Sequence, residues 1–231
     1  MGMFRHLSAS FALLITASTA VAATHEGEWV SYRDAYRAMV MFEKYGKAKH
    51  LLQNQFQVMS KDGNVAPDGV QLHVQGKSTS LNWPLDPTGR TAFALLKAPY
   101  DDNAAIVLNR KGGKYVFRPR ISIVLRPDGV YDAAELREAC EQALAYQRLA
   151  DAPLRSKRCV AVRFVFPKGM PDPGVRLRKG EAPSLGVADG PAFEGDSYHA
   201  FRVVSYRFGA GGDKAPVVTQ NAPLAIVPVF E

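Results

Sequence analysis

The chain has 231 residues, 47% of them hydrophobic and 22% charged, and 29 Lys and Arg set against 22 Asp and Glu give a formal net charge of +7. That apolar fraction supplies a real core, and beyond the first segment no stretch is long and apolar enough to cross a bilayer. The basic excess suits anionic partners, is ordinary for an exported protein, and says nothing about fold.

The opening stretch, MGMFRHLSASFALLITASTAVAATHEGEW, has the three parts of a secretory signal: Arg5 with His6, an apolar run from Phe11 to Ala23, and small residues at its end. The run falls short of the roughly 20 residues of a spanning helix and is interrupted by Thr16, Ser18 and Thr19. Ala20, Val21 and Ala22 fit the small-x-small pattern, so residues 1–22 are expected to be removed, with a cut one residue later as the alternative. No Cys follows to carry a lipid. The expected location is periplasmic or secreted, and about 209 residues remain, enough for one domain over 23–231. Two halves, 23–127 and 128–231, are the alternative.

Residues 30–45 predict an amphipathic helix, with Ser31 capping its start, Asp34 three residues on, and Tyr32, Ala35, Tyr36, Met39 and Phe42 on one stripe. The period then changes to two. Leu52, Phe56 and Val58 oppose Gln53, Gln55 and Gln57, while Val70, Leu72 and Val74 oppose Gln71, His73 and Gln75, the pattern of half-buried antiparallel strands joined through the loop NVAPDG. Further strands are expected at 81–83, 92–96 and 105–108, and NRKGG predicts a hairpin into the next strand.

A second helix is predicted over 132–149, with Asp132 and Glu135 as a capping box and Leu136, Ala139, Cys140, Ala143 and Leu144 as its apolar stripe. Strands are then expected at CVAVRFVF, VRLR, YHAFRVVSYRF and LAIVPVF. The Gly-, Pro- and Asp-rich residues 167–197 form the least regular segment, a surface excursion or a place for ligand contacts. This order predicts an α+β fold, an antiparallel sheet, sandwich-like or partly curled, covered by two main helices.

Cys140 and Cys159 are the only cysteines, and export predicts a disulfide between them. Parity opposes it: Val160, Val162, Phe164 and Phe166 read as one buried face, which turns Cys159 to the other side. Two Cys without a nearby His cannot supply four metal ligands. No nucleophile elbow, zinc-protease helix, P-loop or dinucleotide fingerprint is present, so no catalytic residue, metal or cofactor is expected. Beyond the signal segment the four histidines, His25, His50, His73 and His199, are scattered. Asp101 and Asp102 pair carboxylates, yet PYDDN is good turn chemistry, and Glu135 and Glu138 read as a solvated helix face.

The stretch KYVFRPRISIVLR, residues 114–126, sets Tyr115, Phe117, Ile121, Ile123 and Leu125 against Lys114, Arg118, Arg120 and Arg126. Pro119 predicts an edge or bulged strand whose flanking arginines discourage pairing with other chains. The sharper reading is that same-face residues, roughly 6.6 Å apart along a strand, track a repeating anion, with Gln55 and His73 adding polar groups if the Gln rows share that face. Nucleic acid is disfavoured, because the rings alternate to the opposite side of the strand from the basic groups.

VSYRDAYRAM, followed by a Gln-bearing strand, LNWPLDPTGRTAFAL and a basic hairpin, resembles a loose group of secreted proteobacterial proteins that carry no assigned activity. The resemblance implies an envelope location and no chemistry. The strand, helix, strand run of 121–166 is similar to the C-terminal domain of periplasmic energy transducers, whose anchor and Pro-rich spacer this sequence lacks. The sequence thus points to a non-catalytic envelope protein that binds an envelope component, an anionic polysaccharide being the candidate, through the basic face. The alternatives are a subunit of a protein assembly, pairing at the Pro119 edge or through LAIVPVF, and a hydrolase near Asp101, Asp102 and His73.

Overall fold

The computed structural model describes residues 25–62, 69–110, 113–178, 185–209 and 215–231. The predicted signal segment and most of NVAPDG lie outside the described residues. Four segments alternate with helices α1 (Tyr32–Glu43), α2 (Lys97–Asp101) and α3 (Ala133–Gln147). The first holds β1 (His25–Gly27) and β2 (Trp29–Ser31); between α1 and α2 lie β3 (Leu52–Ser60), β4 (Gln71–Gln75), β5 (Ser80–Pro84) and β6 (Arg90–Thr91). Between α2 and α3 come β7 (Ala105–Leu108), β8 (Tyr115–Ile123) and β9 (Val130–Tyr131). After α3 and a short 3-10 turn, Ala152–Ser156, follow β10 (Cys159–Phe166), β11 (Val175–Leu177), β12 (Val187–Gly190), β13 (Phe201–Arg207), β14 (Val217–Thr219) and β15 (Ala225–Phe230).

The fold is α+β, and its ladders are antiparallel. The large sheet runs β12-β13-β10-β15-β8-β3-β6, with β1 beside the start of β8; two small sheets run β2-β7-β4-β5 and β11-β14-β9. Strands from before residue 127 therefore lie on one side of the β8–β15 contact, and strands from after it on the other. Among the described residues no helix is long and apolar enough to cross a membrane.

One face of the large sheet carries most of the core. Near β3 and β8, Phe56, Val58 and Phe117 pack with Tyr32 and Met39 of α1 and with Leu72, Trp83 and Ile106 of the small sheet. Toward β10, Ile121, Val162, Phe164 and Ile226 pack beneath Leu136, Ala143 and Leu144 of α3. The opposite face bears a smaller apolar group, Val165, Phe193, Phe201, Val203 and Val227, and a polar cluster described below.

Both predicted helices form, and they start differently. Asp132 accepts from the Ala134 and Glu135 N–H groups, satisfying two of the donors left open at a helix start. Glu135 does not complete the box, because its carboxylate takes the Arg126 guanidinium at 2.6 Å. Ser31 does not cap α1 through its side chain; its hydroxyl donates to Asn103 Oδ1 at 2.9 Å instead.

Three further expectations are corrected. Residues 92–96 are not a strand: the Tyr32 hydroxyl donates to Ala94 O and accepts from Leu96 N–H, pinning the segment as coil so that Phe93 packs on Tyr32, Phe56 and Trp83. The turn PYDDN is largely helical, since α2 covers Lys97–Asp101. The strands either side of NRKGG, of which Lys111 and Gly112 lie outside the described residues, do not pair as a hairpin: β7 pairs with β2 and β4, whereas β8 belongs to the large sheet.

The disulfide is present between Cys140 and Cys159, 19 residues apart with Cα atoms 5.9 Å apart, inside the usual bridging range. The parity objection fails for a local reason: the β10–β15 register shifts between Cys159 and Ala161. The extra residue of that bulge, Val160, rephases the strand so that Cys159 joins Val162, Phe164 and Phe166 under α3. Closing a loop of this length contributes about 3 kcal/mol in the chain-entropy model.

Candidate functional site

β8 is not an edge strand. It pairs with β3 from Tyr115 to Ile123, with β1 from Tyr115 to Phe117, and with β15 at Ile123. Nor are its arginines a row facing solvent. In the β3 ladder Gln57 lies opposite Arg118, Gln55 opposite Arg120 and Gln53 opposite Ser122, so these side chains share the face away from the main core.

The irregular segment before β13 folds over that face and brings Asp196, whose side chain is 1% exposed. Its Oδ1 accepts from Arg118 Nη2 at 2.5 Å and Arg120 Nη2 at 2.6 Å, and its Oδ2 accepts from Gln57 Nε2 at 3.0 Å. Gln57 Oε1 accepts in turn from Arg118 Nε at 3.2 Å and Arg120 Nε at 2.7 Å. Each guanidinium thus spends Nε and Nη2 internally and keeps Nη1 without a hydrogen-bond partner among the described residues. Gln55 buries its Oε1 without a hydrogen-bond partner.

Beside this group lies Arg90, only 2% exposed. It donates to Thr88 Oγ1, Ser122 Oγ, Asp86 Oδ2 and Leu224 O. The turn before it explains how a cation reaches the interior. Asp86 Oδ1 accepts from the Thr88 N–H, the Thr88 hydroxyl and the Arg90 N–H, and Gly89 adopts φ +76° where a Cβ would run into the Val58 carbonyl oxygen. Phe193 packs beneath two guanidiniums, with Arg120 4.8 Å and Arg90 5.1 Å from its ring centroid.

Burial lowers the pKa of all three arginines. Arg120 is shifted furthest, to about 10, chiefly by burial, with Asp196 opposing the shift and the Arg118 and Arg90 charges adding to it. Three guanidiniums therefore share two carboxylates, Asp86 and Asp196, in one partly desolvated cluster.

The cluster stands beside a seam in the sheet. β8 and β15 are joined only at Ile123–Ile226. Val124 N–H donates to Leu51 O, so even-numbered residues here turn their backbone groups to β3, and Pro119 and Ile121 turn theirs to β15. By the same alternation Pro228 and Phe230 face β8. Proline has no N–H, so Pro119 and Pro228 each remove a donor from the edge that faces the other strand. They weaken no other ladder, since Pro119 opposite Phe56 and Pro228 opposite Val162 point their nitrogens away from those partners.

Where the strands part lies a cleft of about 600 Å³. Arg118 and Arg120 reach it from the polar face, Phe193 and Glu194 from the covering loop, Tyr146 from the last turn of α3, and Asp151 from the turn that follows. Phe230 closes the β15 side. Asp151 and Glu194 are both exposed.

The other residues singled out from sequence are placed elsewhere. Lys114 is exposed just before β8. Arg126 pairs with Glu135 and sits at a separate pocket of about 210 Å³ with His50. His73 belongs to the small sheet, its Nδ1 2.5 Å from Asn82 Oδ1, so the second Gln row does not share the arginine face. The proposed acid pair is divided: Asp101 takes Lys97, while Asp102 Oδ2 accepts from the Ser78 N–H and hydroxyl. Those bonds hold the Asp102 carboxyl below its ordinary pKa. Among the described residues no three His, Cys, Asp or Glu side chains gather as metal ligands would.

Sequence reading missed Asp196, Arg90, Phe193, Tyr146 and Phe230 as site residues. The one available signal was Pro119 and Pro228 at the centres of two apolar strands. Comparison with protein-family models, curated proteins and solved structures gives no match, so the geometry alone carries the functional reading.

Proposed function

We propose that this chain is a non-catalytic extracytoplasmic protein that holds an envelope component, a saccharide segment, in the cleft between β8 and β15. The observation that carries the reading is the parting of those strands at two prolines, which leaves a cavity of about 600 Å³ with polar and aromatic walls. That volume falls in the range of small-ligand sites, roughly 300–1,000 Å³. Arg118 and Arg120, the residues sequence put forward, line the cleft, and each keeps an Nη1 without a hydrogen-bond partner among the described residues. Export is supported by the signal pattern at the start of the sequence and by the Cys140–Cys159 bond. The non-catalytic reading is supported by the exposure of Asp151 and Glu194, since acid-base work favours a carboxyl in a desolvated setting.

The test is a thermal-shift series on the mature, oxidised protein with hexasaccharides: chitohexaose, cellohexaose, maltohexaose, hexagalacturonate and a hyaluronan hexamer. At a ligand concentration of 100 Kd, binding adds about 2.7 kcal/mol, a rise in Tm on the order of 5–10 °C. The companion is Ala150→Trp, which fills the cleft from the end of α3. At least one hexasaccharide is expected to stabilise the parent and not the filled variant. No shift with any of them, or an equal shift in both proteins, overturns the proposal.

A further inference from the structure

The sequence reading favours a polyanion, whereas the charges and backbone groups around the cleft favour another ligand class. Arg118 and Arg120 are its cations, and Asp196 already lies between them. Arg90 behind them is paired with Asp86. Asp151 and Glu194 then add two carboxylates to the cleft itself. An anionic chain entering here meets guanidiniums that already hold a counter-charge, and carboxylates that repel it.

The backbone points the same way. On the two parted edges, Pro119, Ile121, Pro228 and Phe230 each turn a carbonyl to the seam, but only Ile121 and Phe230 have an N–H to turn with it. Adding the Asp151 and Glu194 carboxylates, the cleft offers many acceptors, with donors from Arg118, Arg120, Tyr146, Gln147 and those two amides. An extended peptide needs donors and acceptors alternately from a sheet edge, and both prolines break that alternation. An ammonium-rich ligand suits the acceptors and meets two guanidiniums at the wall. A hydroxyl both donates and accepts, and it carries no charge to desolvate.

We infer that the cleft takes a neutral, hydroxyl-rich sugar segment, its hydroxyls donating to the carbonyls of the parted strands and to Asp151 and Glu194, and accepting from Arg118 and Arg120. The apolar side chains of Phe230 and Leu154 in the same cleft suit the C–H faces of sugar rings. This rests on the reading of the cleft as a saccharide site and names its ligand class.

The experiment is calorimetric titration of the mature, oxidised protein with cellohexaose, chitohexaose and maltohexaose, against hexagalacturonate, the hyaluronan hexamer and spermidine, each at 0.05 and about 0.5 M salt, where the screening length changes severalfold. The expected result is that at least one neutral hexamer binds at least tenfold tighter than either acidic hexamer. Its Kd should change less than twofold with salt, and the double substitution Asp151→Asn with Glu194→Gln should weaken it about fivefold while leaving the Tm of the free protein in place. Salt-sensitive binding of the acidic hexamers alone overturns the inference and leaves the saccharide site standing. Binding of spermidine alone, or of nothing, overturns both.

Discussion

Toward β3, β8 is laddered along all nine of its residues; toward β15 it is joined at Ile123–Ile226 alone. The first edge is held by backbone, and the second by side chains. On the polar face Asp196 reaches Arg118 and Arg120, and Arg90 reaches Leu224 O, so charged groups from before residue 127 grip the chain that follows it. On the other face α3 lies over β8, β10 and β15 together. A sheet can therefore be continuous in its packing and open in its backbone, and the opening becomes the cleft.

The side-chain grip across the seam depends most on Asp196. Asp196→Ala leaves two partly buried guanidiniums facing each other without their shared carboxylate, and removing one member of a buried charge network costs about 3–5 kcal/mol. The Tm should fall by on the order of 10 °C, measured by calorimetry. A fall of less than about 2 °C would show that the polar cluster does not hold the seam.

Much of the fold could be read from the sequence because it lay in local periods. The apolar stripes of α1 and α3, the Asp132 cap and the alternation of β3 and β8 all follow from residue spacing. That Gln57 stands opposite Arg118 did not follow, because parity is fixed within a strand and pairing is not. Asp196 was invisible for a different reason: it comes from an aperiodic segment and meets its partners across 78 and 76 residues. Pro119 was noticed and misassigned. Its missing donor does mark an unpaired edge, but that edge faces another strand of the same sheet and not solvent.

A smaller effect is expected from restoring the donors that the prolines remove. Pro119→Val with Pro228→Val returns an N–H to each facing edge, and the ladder is expected to extend beyond Ile123–Ile226. Amide exchange at Ile121 should slow about tenfold, and the hexasaccharide shift should shrink, for a stability change of about 1 kcal/mol or less. Unchanged exchange would mean that the strands are held apart by α3 and the covering loop, not by the absent donors.

The smallest effect lies away from the seam and serves as its control. The Ser78 N–H and hydroxyl favour the ionised form of Asp102, whose pKa is lowered. The contribution is complete above the ordinary aspartate pKa and is lost as pH falls through the lowered one. Carboxyl carbon shifts followed by NMR should show Asp102 titrating below the ordinary aspartate pKa, and Ser78→Ala should move it upward. Titration at the ordinary aspartate pKa in the parent would contradict the geometry.

Whether the parted strands form the ligand site is decided by NMR mapping of residues 23–231, oxidised, titrated with chitohexaose, cellohexaose and maltohexaose. For whichever hexamer binds, amide shifts are expected at Ile121, Tyr146, Asp151, Glu194 and Phe230, with His73 and Asn82 of the small sheet unmoved. Shifts confined to the small sheet or to Lys114, with the cleft silent, would contradict it.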